Sequence, residues 1–432
     1  MAKKTSKVTG PDVSRKIFGG VLELDGAGHY PGVELLNIVF GTGVEELFPA
    51  GDKVFFKRQS HDYARKLVWW DKFEYSPDDP VLYDLQSGDA LKRLLECLQL
   101  SIPSAAKKPA WERAHFFPYT RSLIHWDART RGKNDEVRFD RKYFRGAGAL
   151  AFKVLRMDQD LERLENIRSG FANLYDATKT SALERVASLL LLNGQSDQEA
   201  VEDPIEYQSV VFDDRLENVY RSGIENILSY TNLATVVRIQ STIRWTALWL
   251  VLMQHSRAAK LVSDNESYLI IDCASTNKQL RRESQRCLKE KQTIILQAID
   301  KVVDDLDATV AKQRRNSIRS FFWASAATVG LLNAWRGRRH FTLGVETIET
   351  LVMASTRQGL EVSFETFLSE HLFHNYGMVV GRSSAEKANL LSTIDGSVFE
   401  DNENHLARQM AACGFLTEYS DASKMVGIGG AL

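Results

Sequence analysis

The chain has 432 residues, of which 44% are hydrophobic, 26% are charged and 10% are aromatic. This composition excludes a chain that is disordered throughout, and only 9 prolines and 27 glycines exclude collagen-like and proline-rich proteins. The 55 basic and 56 acidic side chains leave a net charge of −1, so no overall field favours nucleic acid or an anionic membrane.

The cysteines and the apolar runs bear on the cellular compartment. The four cysteines lie far apart and form no C-x-x-C pair, which disfavours a disulfide framework or a zinc ribbon and favours reduced thiols in a cytoplasmic protein. The basic segment 1–16 is not followed by the continuous apolar run of a secretory signal. The two most apolar runs, Trp245–Met253 and Phe321–Trp335, are shorter than the roughly 18 residues that span a bilayer. We therefore expect buried helices and no membrane partner.

The first hundred residues give mixed signals. Residues 1–16 are expected to form a basic flexible arm, and residues 17–105 a mixed α/β N-terminal domain. Alternation of apolar and polar residues at Val21–Leu24 and Lys53–Lys57 predicts short strands. Pro31–Ile38 predicts a short helix with proline in its first turn.

Helical patterns dominate the remaining chain. Leucines at i, i+3, i+4 and i+7 after Gly88 predict a helix that ends near Pro103. Leu269–Asp272 is the one buried strand predicted in the second half. The sequence therefore predicts a mainly α, multidomain helical protein with a small mixed α/β N-terminal part and a central helical domain at 106–340. Long amphipathic helices are predicted at about 141–175, 178–192, 213–231, 233–263, 278–311 and 313–336.

Charge is distributed unevenly along the chain. Residues 107–145 have a net charge of +6 and interleave basic with aromatic side chains, and residues 312–340 contain seven basic side chains and no acid. By contrast, residues 196–218 contain eight acids against one base, and residues 341–432 have a net charge of −7. This pattern predicts nucleic-acid contact through the basic central segments and protein contact through the acidic ones.

The basic segments supply the candidate nucleic-acid-binding residues. Arginine and lysine neutralise phosphates, and the interleaved tryptophan and tyrosine rings can stack on bases. The alternative is that the aromatic rings belong to the core and the basic side chains form a solvated face. If the apolar stretch inside 312–340 is helical, about 22 Å separates its two basic ends, which would then not form one patch. The candidates are Arg121, Arg129, Arg131, Lys133, Arg138, Arg141, Lys312, Arg314, Arg315 and Arg319.

Residues 341–432 are predicted to form a separate acidic helical domain. Its end resembles that of a winged-helix domain, with a helix closed by Gly414, a strand at Phe415–Glu418, a polar turn and a returning strand at Lys424–Ile428. The resemblance implies a winged-helix-like fold. Winged-helix domains commonly bind DNA through the helix before the hairpin. This helix offers Arg408 as its one fixed positive charge, so docking to protein is the expected use.

Catalytic signatures are missing from the sequence. It contains no G-x-x-x-x-G-K-[ST], G-x-S-x-G, H-E-x-x-H or calcium-loop motif, so no cofactor, metal or catalytic residue is predicted and a non-catalytic protein is favoured. Asp272 is the best candidate for an active site, since a carboxylate that follows a strand is typical of α/β sites. The expected role of Asp272 is nevertheless a cap or an ion pair with an arginine.

Two segments carry a resemblance to a known class of proteins. Tyr376–Gly381 and Gly414–Val426 are similar to parts of accessory subunits of bacterial multigene DNA-modification and anti-phage defence systems. Such subunits work beside a helicase or nuclease. The resemblance implies a larger bacterial assembly as the setting, and the charge pattern predicts a non-catalytic adaptor in it that contacts nucleic acid, DNA in the first place, and other protein subunits. Two alternatives stay open: a pure protein–protein scaffold that binds no nucleic acid, and a metal-dependent nuclease built around Asp272.

Overall fold

The computed structural model describes residues 8–42, 46–58, 60–74, 88–100, 111, 114–124, 129–131, 137–139, 144–175, 181–193, 201–206, 215–263, 268–273 and 276–429. Its α-helices are α1 (Gly10–Phe18), α2 (Tyr30–Gly41), α3 (Asp62–Trp69), α4 (Gly88–Cys97), α5 (Ala147–Arg156), α6 (Leu161–Ala172), α7 (Ala182–Asn193), α8 (Arg215–Ser229), α9 (Thr235–Ser263), α10 (Lys278–Asp305), α11 (Lys312–Thr328), α12 (Val345–Ser355), α13 (Phe364–Thr366), α14 (Arg382–Lys387) and α15 (Gly396–Ala412). A π-helical stretch, Phe367–Asn375, continues α13.

The strands of the described residues are short and form four small sheets. They are β1 (Lys53–Arg58), β2 (Arg129–Arg131), β3 (Val137–Phe139), β4 (Val201–Glu206), β5 (Leu269–Ile270), β6 (Val362–Ser363), β7 (Met378–Val379), β8 (Leu416–Glu418) and β9 (Lys424–Val426). The first sheet pairs β1 with β4 and the second pairs β2 with β3, both antiparallel, whereas β5 and β7 run parallel. The fourth sheet is antiparallel with the strand order β6-β9-β8. The predicted mainly α fold class is confirmed at this level.

Backbone contacts divide the chain into two compact units. The first unit comprises Met1–Gly28 and Val210–Leu432, and the second comprises His29–Ser209. The domain boundaries predicted from composition, near residues 105 and 340, stay predictions. The acidic segment 341–432 lies in the same unit as the helices that precede it.

Asn402 on α15 shows how the acidic segment is joined to the rest of the first unit. Its amide nitrogen donates hydrogen bonds to the carbonyl oxygens of Ile271 and Val380, both at 2.9 Å, and its oxygen accepts the N–H of Cys273 at 2.8 Å. Asn402 is fully buried, where such bonds are strong and their loss is costly. The ends of the parallel strands β5 and β7 are thus fastened to one side chain.

Helix α9 forms the centre of the first unit. The predicted buried run is confirmed, since every residue from Trp245 to Met253 is at most 1% exposed. The indole N–H groups of Trp245 and Trp249 donate to the carbonyl oxygens of Tyr220 and Leu216 on α8, at 3.1 and 2.9 Å. Among the described residues, no helix combines the length and the apolar character needed to cross a bilayer.

The second unit is organised around the packing of α2 against α5. The buried carboxylate of Glu34 accepts the backbone N–H groups of Gly146 and Gly148, at 2.9 and 2.8 Å, at the start of α5. A carboxylate at this position satisfies free N–H groups and complements the helix dipole. A Cβ atom at Gly148 would lie 2.5 Å from the carbonyl oxygen of Pro31, so the close approach of the two helices requires glycine.

Several elements differ from the expectation. The helix predicted at 141–175 is two helices, because Asp160 caps α6 by accepting the N–H of Arg163 at 3.1 Å. Val21–Leu24 is not a strand, and a 3-10 turn covers Leu24–Gly26. Helix α1 occupies part of the expected flexible arm, with Val13 fully buried. The predicted strand at Lys53–Lys57 and the hairpin after Gly414 are confirmed by β1, β8 and β9.

Candidate nucleic-acid interface

Helix α11 begins with three of the predicted nucleic-acid-binding residues, and two of them are engaged inside the first unit. The guanidinium of Arg315 donates to the carboxylate of Asp300 at 2.6 Å and to the carbonyl oxygen of Val310 at 3.0 Å. Arg314 lies 3.9 Å from the buried carboxylate of Glu23. These acids offset the unfavourable placement of cations at the positive end of a helix dipole. Lys312, the first residue of α11, is exposed.

The chain turns back on itself where α11 ends. Gly330 has a φ of +79°, which a residue with a side chain adopts only with strain. Leu332 and Phe341 then form an antiparallel bridge. Asn333 closes the loop between them, since its N–H donates to the carbonyl oxygen of His340 at 3.2 Å and its side-chain oxygen accepts the N–H of His340 at 2.8 Å. The loop 333–340 is therefore folded beside α11 instead of extending it.

This turn brings Arg339 close to Arg319, the last basic residue of the group at the start of α11. The guanidinium carbon of Arg339 lies 4.4 Å from the ring centroid of Trp323 on α11. The rings of Trp323 and Trp335 meet edge to face, with centroids 5.1 Å apart. Both rings are half-buried, and Arg336 is exposed at the tip of the loop. We call the set Arg319, Trp323, Trp335, Arg336, Arg338 and Arg339 the arginine–tryptophan surface.

The expectation that the two basic groups lie at opposite ends of one helix is therefore wrong. A continuous helix from Lys312 to Arg336 would have separated them, but α11 stops at Thr328. Arg319 and Trp323 lie four residues apart on α11, which puts them on the same face of the helix. Arg339 joins that face from the loop.

Three arginines of this surface, Arg319, Arg338 and Arg339, carry positive charge that no ion pair among the described residues neutralises. Burial lowers the pKa of Arg339, and so does the positive charge of Arg319 nearby. Within the part of the chain that the structure describes, no carboxylate forms an ion pair with Arg319, Arg338 or Arg339. The Nε of Arg319 is shielded from solvent and has no hydrogen-bond partner among those same residues. Two arginines close together without an acid favour the approach of an anion.

The arrangement suits recognition of phosphate in particular. A guanidinium that stacks on an indole ring is held in place, and the planar edge of arginine matches two oxygens of a phosphate. Less side-chain entropy is then lost when the anion binds. Half-buried indole rings also offer a face or an edge on which a base can stack without sequence preference.

The aromatic-rich segment 107–145 lies in the second unit, and its described aromatic residues are partly core. Phe116 and Phe144 are 4% and 0% exposed, as the alternative interpretation of this segment predicted for its aromatics. Arg121 is half-buried, with its guanidinium 5.6 Å from the ring centroid of Phe40. The rings of Phe116 and Phe144 therefore pack inside the unit, and Arg121 covers the ring of Phe40 on α2.

The other candidates of that segment are only partly described. The backbones of Arg129 and Arg131 lie on β2, and the backbone of Arg138 lies on β3, within one short antiparallel ladder. Lys133 and Arg141 lie outside the described residues. The candidates thus fall into two groups on different units, and only the group around α11 has side chains whose contacts can be described together.

Asp272 occupies a structural position. Its side chain is 0% exposed, and its Oδ2 lies 3.5 Å from the Nε of Arg281 and 3.4 Å from the Nε2 of His340. This geometry supports the expected ion pair with an arginine. The described residues contain no group of three or more histidine, cysteine, aspartate or glutamate side chains that could hold a metal ion.

Sequence reasoning noted the arginines of 336–339 but did not include them among the binding residues, and it missed the two tryptophans. Two signals could have found them. Gly330 and Gly337 mark turns after the apolar run, and both have positive φ. The spacing of Arg319 and Trp323 places a cation and an indole on one helix face.

Comparison of the chain with models of protein families, with curated proteins and with solved structures found no match.

Proposed function

We propose that this chain is a non-catalytic subunit that binds nucleic acid through the arginine–tryptophan surface. The observation that carries the proposal is the stack of Arg339 on Trp323, with Arg319 beside it and no acid anywhere in 312–340. The net charge of −1 gives the whole protein little attraction for a polyanion, so binding has to depend on this local concentration of charge.

The number of arginines that contact phosphates determines how strongly the binding constant depends on salt. If Arg319, Arg338 and Arg339 each neutralise one phosphate, the logarithm of the binding constant falls against the logarithm of salt with a slope of about −2.7 for duplex DNA or −2.1 for a single strand. Stacking of one base on Trp323 or Trp335 would add about 1–3 kcal/mol.

The acidic segment 341–432 supplies the protein-binding part of the proposal. Its order of elements, α12, β6, α13 and later α15, β8 and β9, with the sheet order β6-β9-β8, supports a winged-helix-like module. Its net charge of −7 disfavours binding to DNA and favours binding to a basic protein surface. We propose that it holds the chain to other subunits of a bacterial assembly, beside a helicase or nuclease, with anti-phage defence as the context and DNA as the nucleic acid.

A pure protein scaffold is the second candidate. The same arginines could bind carboxylates of a partner subunit, because carboxylate and phosphate present similar pairs of oxygens to a guanidinium. The complete burial of Asp272 gives a nuclease built around that residue no support, since a catalytic carboxylate has to reach the substrate or its metal.

The test is a titration of the purified protein into labelled single-stranded and double-stranded DNA and RNA at several salt concentrations. The proposal predicts binding at low salt with a slope near that expected for three phosphates. Equal binding at all salt concentrations, or no binding at low salt, would refute it and leave the scaffold. The strandedness of the ligand that binds most tightly identifies the class of nucleic acid that the protein recognises.

A further inference from the structure

A second feature of the first unit lies away from α11, inside the acidic module. A cavity of about 510 Å³ opens to solvent here, and it is lined by α13 with its π-helical continuation, by the turn before α14, by α15 and by the β8–β9 hairpin. This volume falls within the roughly 300–1,000 Å³ of sites that bind small ligands or single side chains. Phe364 and Leu368 form an apolar part of its wall, and the hydroxyls of Ser369 and Ser383 line a polar part.

The charged groups of the cavity are Glu365, Glu403 and Lys424, which together carry a formal charge of −1. Glu403 is held in place, because the backbone N–H of Arg382 donates to its carboxylate. The carboxylate also packs so closely on Gly381 that a Cβ atom there would have no room. Glu403 is therefore a fixed acceptor on the cavity wall.

The negative charge of Glu403 is under-compensated. Burial raises its pKa, and the nearby carboxylates of Glu400 and Glu365 raise it further. The Arg382 N–H and the positive charge of Lys424 act in the opposite direction but do not reverse the shift. A further positive charge in the cavity would stabilise the ionised carboxylate, whereas an anion would be repelled by two acids.

We propose that this cavity binds an aliphatic cation, namely an ammonium or guanidinium group on an alkyl chain, with Glu403 as its principal counter-charge. Glu365 at the exposed rim adds attraction. Ser369 and Ser383 can accept further N–H groups, and Phe364 and Leu368 cover the alkyl chain. The cation is supplied either by a lysine or arginine side chain of a partner protein or by a free small amine. This inference rests on the cavity alone and does not depend on nucleic-acid binding.

Calorimetric titration with two cationic probes tests the proposal. Agmatine represents a free alkyl guanidinium, and N-acetyl-arginine-N′-methylamide represents an arginine inside a polypeptide. We expect millimolar or tighter binding of at least one probe, weakened about tenfold or more by Glu403→Gln, because a hydrogen bond to a charged group is lost. Glu370→Gln is the matched control, since Glu370 is exposed and lies outside the cavity wall. This control should bind like the wild type.

The outcomes separate the sources and can overturn the proposal. Binding of agmatine alone indicates a free amine, and equal or tighter binding of the blocked arginine indicates a partner side chain. No heat with either probe, or equal binding by wild type and Glu403→Gln, would contradict the site. Glu365→Gln provides a second variant if Glu403→Gln does not fold, because Glu365 is exposed and should weaken binding without affecting the fold. DNA binding should be unchanged in all of these variants, so failure here does not count against the proposed function.

Discussion

Removal of two arginines from the arginine–tryptophan surface has an effect that can be calculated. In the double variant Arg338→Gln with Arg339→Gln, two cations are lost and the chain length and polarity of the side chains are largely kept. Neither arginine is paired with a carboxylate among the described residues, so no acid is left unpaired by the change. Removing Arg339 also takes a like charge away from Arg319. Loss of the Arg339 contact with Trp323 should cost about 0.5–1 kcal/mol, so the folded state should keep most of its stability.

The expected loss of binding follows from counterion release. Each lost phosphate contact reduces the salt slope by about 0.9 for duplex DNA or 0.7 for a single strand, so two contacts reduce it by about 1.8 or 1.4. If affinities converge at 1 M salt, the double variant binds about 60-fold or 25-fold more weakly at 0.1 M salt. Fluorescence anisotropy with a labelled oligonucleotide over a series of salt concentrations measures both quantities.

A matched variant makes the test specific. Arg382→Gln with Arg408→Gln removes the same charge from the acidic module, where Arg382 makes an exposed ion pair with Glu400. This control should keep the wild-type slope. If the control loses binding and the Arg338 and Arg339 variant keeps it, the module and not the loop contacts nucleic acid, and the reasoning about the surface is refuted.

Four further variants test the account. Trp323→Ala should weaken binding of single strands about 10-fold or more through lost stacking, and unchanged anisotropy curves would argue against a stacked base. Gly330→Ala should cost about 1–3 kcal/mol of unfolding free energy in urea, since φ is +79° and the new Cβ would lie 2.7 Å from the Oγ1 of Thr347. Gly337→Ala, with φ of +90° and open space, should cost about 1 kcal/mol. Burial lowers the pKa of His255 to about 3, below its unfolded value of about 6.5. Between these two pH values the unfolded chain binds a proton that the folded chain does not bind. The free energy of unfolding therefore falls by about 1.4 kcal/mol per pH unit as the pH is lowered from about 6.5 towards 3. His255→Leu should flatten this part of the pH profile of urea unfolding, and an unchanged profile would exclude His255 as its source.

Short sequence patterns predicted the helices and strands that depend mainly on residues close together in the chain. The apolar run of α9, the alternation at β1 and the glycine that closes α15 each follow from a few neighbouring residues. The break between α5 and α6 was missed, although Asp160 is a residue type that favours a helix start. Amphipathic spacing continues on both sides of this cap, and a single long helix was therefore predicted where the structure has two.

Contacts between residues that lie far apart in the chain could not be predicted from the sequence. Asn402 gives no local sign that it will bind the ends of β5 and β7, more than twenty residues away along the chain in one case and more than a hundred in the other. The acidic segment 341–432, which composition predicts to be a separate domain, lies in the first unit. The same limitation hid the arginine–tryptophan surface, because the stack of Arg339 on Trp323 exists only after the chain turns at Gly330.

The most direct test of the central claim is ultraviolet cross-linking of the protein to a photoreactive single-stranded oligonucleotide, followed by mass-spectrometric mapping of the attached peptides. The arginine–tryptophan surface predicts cross-links in peptides that contain Trp323 or Trp335, and their loss in the variant that lacks Arg338 and Arg339. Cross-links confined to residues 107–145, or none at low salt, would contradict the claim.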